Sequence, residues 1–373
     1  MIYLDNSATT RAHPAVTERI AKAEQEHFAN ASALYKIALS AEDGILEAKR
    51  EIASVLRCTP AEVLITSGGT LSNNLALFGA AAARKRQGNR VVISLVEHPS
   101  VFACGEALAE QGFEVIYARP EAEAFREAIN EKTILVAMML VNNEIGLRLP
   151  CEQVARIIRE KEAPAHFHID GVQAFCKIPT NVRSLGCDSF SLSAHKVHGP
   201  KGIGALYLKK GVRIKKYLFG GDQEGGAVPG TYNSPAAFGF AEAIRLYKKA
   251  DLGLYESLRA KVLERAAQMP FIKIHSPADG VPYILNLSCR GYLGENVVHF
   301  LEGKEIYLSQ GSACSSKKAR SASVLGRLGA EEADVMGALR ISFGLFNTCE
   351  EVDALMDALA EVPQKIQKRY KDV

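Results

Sequence analysis

Between Val63 and Leu208 the chain alternates short apolar runs with longer stretches whose apolar positions recur every three or four residues. Residues 63–65, 91–95, 114–117, 134–141, 167–169, 189–192 and 204–208 read as strands. The segment after Ser72 and residues 100–111, 121–130 and 151–161 read as helices. Such alternation predicts a mostly parallel sheet covered on both faces. Ahead of it the pattern gives a helix over 14–26, an irregular stretch over 29–33 and a longer helix over 37–56. Behind it come a glycine-dense loop, 220–230, and a helix over 236–267 that leads into a second region. There, strands at 284–287, 306–308 and 338–341 with helices at 295–302 and 350–370 predict an α+β arrangement. The expected division is a large domain over 14–250 and a small one made of 1–13 and 251–373.

Composition narrows the class. A chain of 373 residues exceeds one ordinary domain, and 47% hydrophobic with 23% charged residues suits a substantial core. A net charge of +3 is too small to argue for nucleic acid or an acidic membrane. The longest apolar run, 134–141, is far short of a bilayer span, and the start MIYLDNSATT has no export pattern, so a cytoplasmic location is expected. Cysteines at 58, 104, 151, 176, 187, 289, 314 and 349 form no C-x-x-C pair and no zinc-like spacing. Reduced thiols and no metal site are expected.

Candidate chemistry collects at predicted strand ends. Lys196 follows the strand 189–192 inside SAHKVHGPKGIG (193–204), where a Gly/Pro-rich bed would let an amine approach a bulky ligand. A basic surface turn would look similar. Asp170 ends the strand of HIDGVQ (168–173), which would put a carboxylate beside that amine in the crevice where open α/β sheets bind ligands. An amine and a carboxylate so placed suit pyridoxal phosphate: the lysine forms the Schiff base and the acid pairs with the ring nitrogen. TSGGT (66–70), between an apolar run and a helix, is a phosphate-site candidate.

His98 in VEHPS could stack on a ring or shuttle a proton, or be an ordinary loop histidine. NNEIG (142–146) could present amides to a ligand or simply form a turn. Cys314 lies in SQGSACSSKKARSAS (309–323), near Lys317, Lys318 and Arg320, a setting that favours thiolate. It is the candidate nucleophile. Arg340, within a predicted strand, needs a carboxylate partner, either a ligand's or the protein's own.

In this order, YLDNSATT, TSGGT, VEHPSV, VNNEIG, HIDGVQAF, SLSAHKVHGPKGIGALY, PGT, SQGSACSS and LRISFG make the chain resemble, nearly end to end, the cysteine desulfurases of NifS/IscS type. These are fold-type I pyridoxal-phosphate enzymes of the class V aminotransferase group. The resemblance implies a large domain with a mostly parallel seven-stranded sheet, a smaller α+β domain, and a homodimer with two interfacial sites. It assigns Lys196 to the covalent cofactor link, Asp170 to the pyridinium, Gln173 to the phenolic oxygen and His98 to ring stacking. Gly69, Thr70, Ser193 and His195 are assigned to the phosphate, with Thr231 reaching in from the partner subunit. Asn143 and Arg340 would hold the carboxylate of the substrate, L-cysteine. Cys314 would receive the sulfur as a persulfide and pass it to a protein acceptor, an iron–sulfur scaffold or a thiolation enzyme, leaving L-alanine.

Leu71 stands where that family usually carries Glu, Val228 where it commonly has Arg, Tyr35 where many members have His, and Ala38 where they often have Gly. The two departures fit either a pair lost jointly, which leaves no buried unpaired charge, or altered substrate choice or weakened turnover. Selenocysteine lyase, another class V enzyme, or a weakly catalytic sulfur-relay partner are the competing readings.

Overall fold

A computed structural model describes residues 1–310 and 323–369. It divides into two compact units, one of residues 11–140 with 149–249, the other of 1–10, 141–148 and the chain from 250 onward. The larger unit is built on seven strands: β1 (Val63–Thr66), β2 (Arg90–Ser94), β3 (Glu114–Ala118), β4 (Thr133–Met139), β5 (His166–Asp170), β6 (Ser189–Ser193) and β7 (Gly204–Leu208). They lie in the order β1-β7-β6-β5-β4-β2-β3. Only β7 runs antiparallel to its neighbours. Strands β4, β5 and β6 are buried at every residue, as a sheet covered on both faces demands. The fold class is the one expected from the alternation.

The strand order has a functional consequence. From β2 the chain builds outward to β3, whereas β4, β5 and β6 build in the other direction, so a switch point lies between β2 and β4. The residues that follow β2, β5 and β6 therefore emerge at one edge of the sheet. Thr66, Gly204 and Ser193 pair in a row across β1, β7 and β6, which brings the loop after β1 to that edge too. The approach is close. A Cβ on Gly204 would lie 2.4 Å from the Leu192 carbonyl oxygen and 2.7 Å from Gly68 Cα, so a side chain there would push the loop away.

Helix α1 (Gly69–Arg84) starts at Gly68, whose φ of +149° is open to glycine alone. Helix α2 (Pro99–Glu110) starts at His98, whose ring Nδ1 accepts the Ser100 N–H as its cap.

The smaller unit carries a four-stranded antiparallel sheet of β8 (Ile272–Ile274), β9 (Ile284–Cys289), β10 (Ser309–Gln310) and β11 (Ala338–Ser342), in the order β10-β11-β9-β8. Ile2–Tyr3 pairs in parallel with Ile306–Tyr307. Three of these pieces, Ile2–Tyr3, β8 and β10, are two or three residues long and give no periodic signal. Two expected helices are broken. The stretch 236–267 is Ser234–Lys249 followed by Gly253–Ala266, because Asp251 Oδ1 takes the Gly253 N–H at 2.9 Å and starts a new helix. The stretch 350–370 is Cys349–Ala360 followed by Val362–Lys365, with Pro363 unable to continue the first ladder. Among the described residues no helix is long and apolar enough to cross a membrane.

Leu71 and Val228 are both half-buried and pack on the same apolar cluster, which includes Leu75, Val101, Leu108 and Leu206. Their apolar character is thus used where a charged pair would need mutual satisfaction. Leu71→Glu alone should destabilise the fold by about 1–3 kcal/mol, read as a lower denaturant midpoint. An unchanged midpoint would show that the contact contributes nothing.

Candidate active site

At the common edge of the sheet the larger unit holds a carboxylate among donors. Asp170, 5% exposed, is the last residue of β5. Its Oδ1 accepts the Val172 N–H at 3.0 Å, and its Oδ2 accepts Asn73 Nδ2 at 2.8 Å. Asn73 projects from the first turns of α1 and also donates to Ser100 Oγ at 2.9 Å. Ser100 Oγ lies 2.8 Å from His98 Nδ1, so the His98 ring and the Asp170 carboxyl share one amide. His98 is exposed as a residue, yet its imidazole is crowded by protein. Burial lowers its pKa, Asp170 opposes that shift, and Lys196 adds to it. A neutral imidazole is the form that can lie against an aromatic ring and still exchange a proton.

Lys196 ends the single turn that follows β6, half-buried beside Ser193 and His195. Burial pushes His195 down to about 4, reinforced by Lys196, Lys201 and Lys177. Three amines thus act on one imidazole. Lys177 is buried, its Nζ donates to Gln173 Oε1 at 3.3 Å, and its pKa falls to about 7 through burial first and the charge of Lys196 second. Concentrated positive charge of this kind suits an anionic ligand, and so does the start of α1, where helix N–H groups converge. A phosphate-bearing ring with a basic nitrogen fits this donor set: Lys196 for its aldehyde, Asp170 for its nitrogen, and the lysines with Gly69, Thr70 and Ser193 for its phosphate. Gln173 is buried and its acceptor end is held by Lys177, so the amide turns its N–H end away from that contact. Thr231 is exposed in the loop after Gly230.

The smaller unit holds the two remaining described candidates. Arg340 on β11 gives Nη2 to Asp5 Oδ1 at 2.7 Å and to Ser309 Oγ at 3.1 Å, and Nη1 to the Asn143 carbonyl at 3.1 Å. Its charge is therefore answered by Asp5, and Asn143 meets it through the backbone. Next to them Glu144 accepts the Val324 N–H at 3.1 Å. Burial raises the Glu144 pKa to about 7, against the pull of that hydrogen bond and of Arg340 and Arg327.

Cys314 lies outside the described residues. Five of the other thiols are poor nucleophiles: burial pushes Cys58, Cys104 and Cys289 up to about 12, and Cys176 and Cys187 further. Among these seven, Cys104, Cys151, Cys187 and Cys289 are buried, and Cys58, Cys176 and Cys349 are half-buried.

The sequence reading missed Asn73, His166, His168, Lys177, Ser189, Asp5 and Glu144. His168 carried a usable signal, since it stands two residues before Asp170 on the same face of one strand. Lys177, four residues after Gln173, carried a weaker one.

An aminotransferase class-V family model matches residues 2–355. The chain is 39% identical over 383 aligned positions to the NifS/IcsS protein homolog of Lactobacillus delbrueckii subsp. bulgaricus, covering 99% of this chain and 98% of that one. It is 35% identical over 379 positions to the cysteine desulfurase IscS of Methanosarcina thermophila, covering 98% and 93%. Among solved structures, a NifS-like protein matches with a TM-score of 0.90 at 32% identity, over 97% of this chain and 99% of that one. One described as SspA in complex with cysteine matches with a TM-score of 0.82 at 30% identity, over 93% and 100%. Fold and site together define a pyridoxal-phosphate-dependent enzyme. The chain belongs to the aminotransferase class-V family, among its NifS/IscS-type members.

The raised pKa of Glu144 has a consequence for stability. The folded chain holds this proton more tightly than the unfolded chain, so the group favours folding below the unfolded carboxyl range and loses that contribution as pH rises through about 7. Glu144→Gln keeps an acceptor for Val324 and should raise the melting temperature more at pH 8 than at pH 5. Equal shifts at both pH values would contradict the assignment.

Proposed function

We propose that the chain is a cysteine desulfurase, in which L-cysteine and the Cys314 thiol become L-alanine and a Cys314 persulfide. The observation that carries this reading is the grouping of Asp170, Asn73, Ser100 and His98 in one hydrogen-bonded set at the sheet edge where Lys196 also emerges. Pyridoxal phosphate supplies an electron-accepting ring that stabilises negative charge at the substrate α-carbon.

The chain's residues do the rest. Lys196 would hold the cofactor through its Nζ and, once released, would be the base that takes the substrate α-proton. Asp170 holds the proton of the ring nitrogen, which keeps the ring an acceptor. His98 would stack on the ring, Gln173 would donate to the phenolic oxygen, and Gly69, Thr70, Ser193 and His195 would bind the phosphate. Arg340, whose guanidinium is held in place by Asp5 at 2.7 Å, would take the substrate carboxylate together with Asn143. Cys314 thiolate attacks the substrate sulfur, forming the S–S bond as the C–S bond breaks, and the carbon left behind is protonated to alanine. The SspA structure was solved with cysteine, which supports the substrate class.

The same reading makes the protein a cytoplasmic homodimer that gives its sulfur to a protein acceptor for iron–sulfur cluster assembly or thiolation. Large apolar side chains stand exposed at Phe28, Leu34, Ile37, Leu39 and Phe219, more than a lone protomer would leave in water. In this dimer Thr231 serves the partner's phosphate site.

Purified protein given pyridoxal phosphate, L-cysteine and a thiol reductant should turn yellow and release alanine and sulfide. Borohydride should fix the cofactor on Lys196, and Cys314→Ala should stop alanine turnover while leaving the visible band. A colourless protein with no Lys196 adduct, or alanine from selenocysteine alone, would overturn the proposal. Ile37→Asp combined with Phe219→Asp should convert the dimer to a monomer by light scattering, and an unchanged mass would refute the interface.

A further inference from the structure

Behind Asp170 runs a chain of buried polar groups that the mechanism above does not use. Asn73 Nδ2 has two hydrogens and spends both, one on Asp170 Oδ2 at 2.8 Å and one on Ser100 Oγ at 2.9 Å. Its Oδ1 must then accept, so His168 Nε2, at 3.0 Å, carries a hydrogen. Burial holds His168 neutral, with a pKa of about 4, which leaves its Nδ1 bare. That nitrogen accepts from Ser189 Oγ at 2.8 Å. Ser189 has spent its only proton and accepts from His166 Nε2 at 2.7 Å. His166 is likewise kept neutral by burial, and its Nδ1 ends the chain without a hydrogen-bond partner among the described residues. His166, His168 and Ser189 are 0% exposed, so bulk water does not reach them. Every bond has one permitted direction.

We propose that Asn73, His168, Ser189 and His166 are positioning residues that hold Asp170 in one rotamer as an acceptor-only carboxylate, and so govern how strongly it grips the cofactor's ring nitrogen. This rests on the cofactor reading above. Each link fixes the next: with the Ser189 hydroxyl gone, His168 can move its proton to Nδ1, Asn73 loses its donor, and the amide no longer has a reason to keep its N–H toward Asp170. A buried polar cluster could instead be simple structural glue. The two roles differ in what they do to ligands, because positioning acts only through the ring nitrogen and glue acts on any ligand of the same shape.

The test compares apo-protein binding of pyridoxal 5′-phosphate with binding of its 1-deaza analogue, which lacks the ring nitrogen. Ser189→Ala should weaken pyridoxal phosphate binding about tenfold, the loss of one charge-assisted hydrogen bond's worth of orientation, and leave the analogue's affinity unchanged. Ser189→Thr, which keeps the hydroxyl, should recover the difference between the two ligands. In 15N-histidine spectra His168 should show a single Nε2–H tautomer in the wild type and a mixture in Ser189→Ala. Should that variant not fold, His166→Leu with Ser189→Ala removes the orphaned donor as well and serves the same comparison. Equal losses for both ligands, or no loss for either, would overturn the proposal. A wild type that binds neither ligand while His168 keeps its single tautomer would sink the cofactor reading, and this role with it.

Discussion

A carboxylate at the buried end of a central strand is the constraint from which the larger unit follows. In so dry a place each oxygen needs donors. Backbone supplies one through Val172, and the other comes from Asn73 on α1. For that amide to reach Asp170, α1 must pack tightly on β5 and β6, as it does. A helix seated so low must start abruptly after β1. Gly68 in a glycine-only conformation and the missing Cβ of Gly204 are what allow it. The phosphate-site candidate at the start of α1 is thus partly a by-product of holding one acid in place.

The same logic explains what was legible in the sequence. Lys196, Asp170 and His98 stand where apolar runs give way to Gly, Pro or small residues, so composition changes around them and the eye is led there. The supporting groups are hidden by the opposite circumstance. His166, His168 and Ser189 sit inside strands buried at every position, where periodicity cannot distinguish a core polar residue from a solvent-facing one. Arg340 was recognisable as a charge needing a partner. Its partner Asp5 lies 335 positions away and could only be found in three dimensions. The helix breaks at Asp251 and Pro363 fall within continuous periodic stretches, and local side-chain and ring chemistry overrides the pattern there.

Electrostatics also sorts the cysteines. A buried thiol has little tendency to ionise, and five of the described thiols are held far from thiolate by their surroundings. Cys314 differs from them in sequence, since Lys317, Lys318 and Arg320 stand within six residues of it, a setting that favours thiolate. Burial that stabilises the core also keeps these five thiols out of thiolate chemistry.

Leu71 and Val228 show how the same loop can be held by different physics. An acid and a base at these places would tie the start of α1 to the glycine-rich loop through an ion pair that salt screens and that desolvation weakens. Here both side chains rest instead on one apolar cluster with Leu75, Val101 and Leu206. An apolar anchor is insensitive to ionic strength and carries no charge to compete for a phosphate. It also demands no partner of fixed geometry, and the ion pair that does hold the glycine-rich loop lies elsewhere in it, between Lys49 and Glu224 at 2.6 Å.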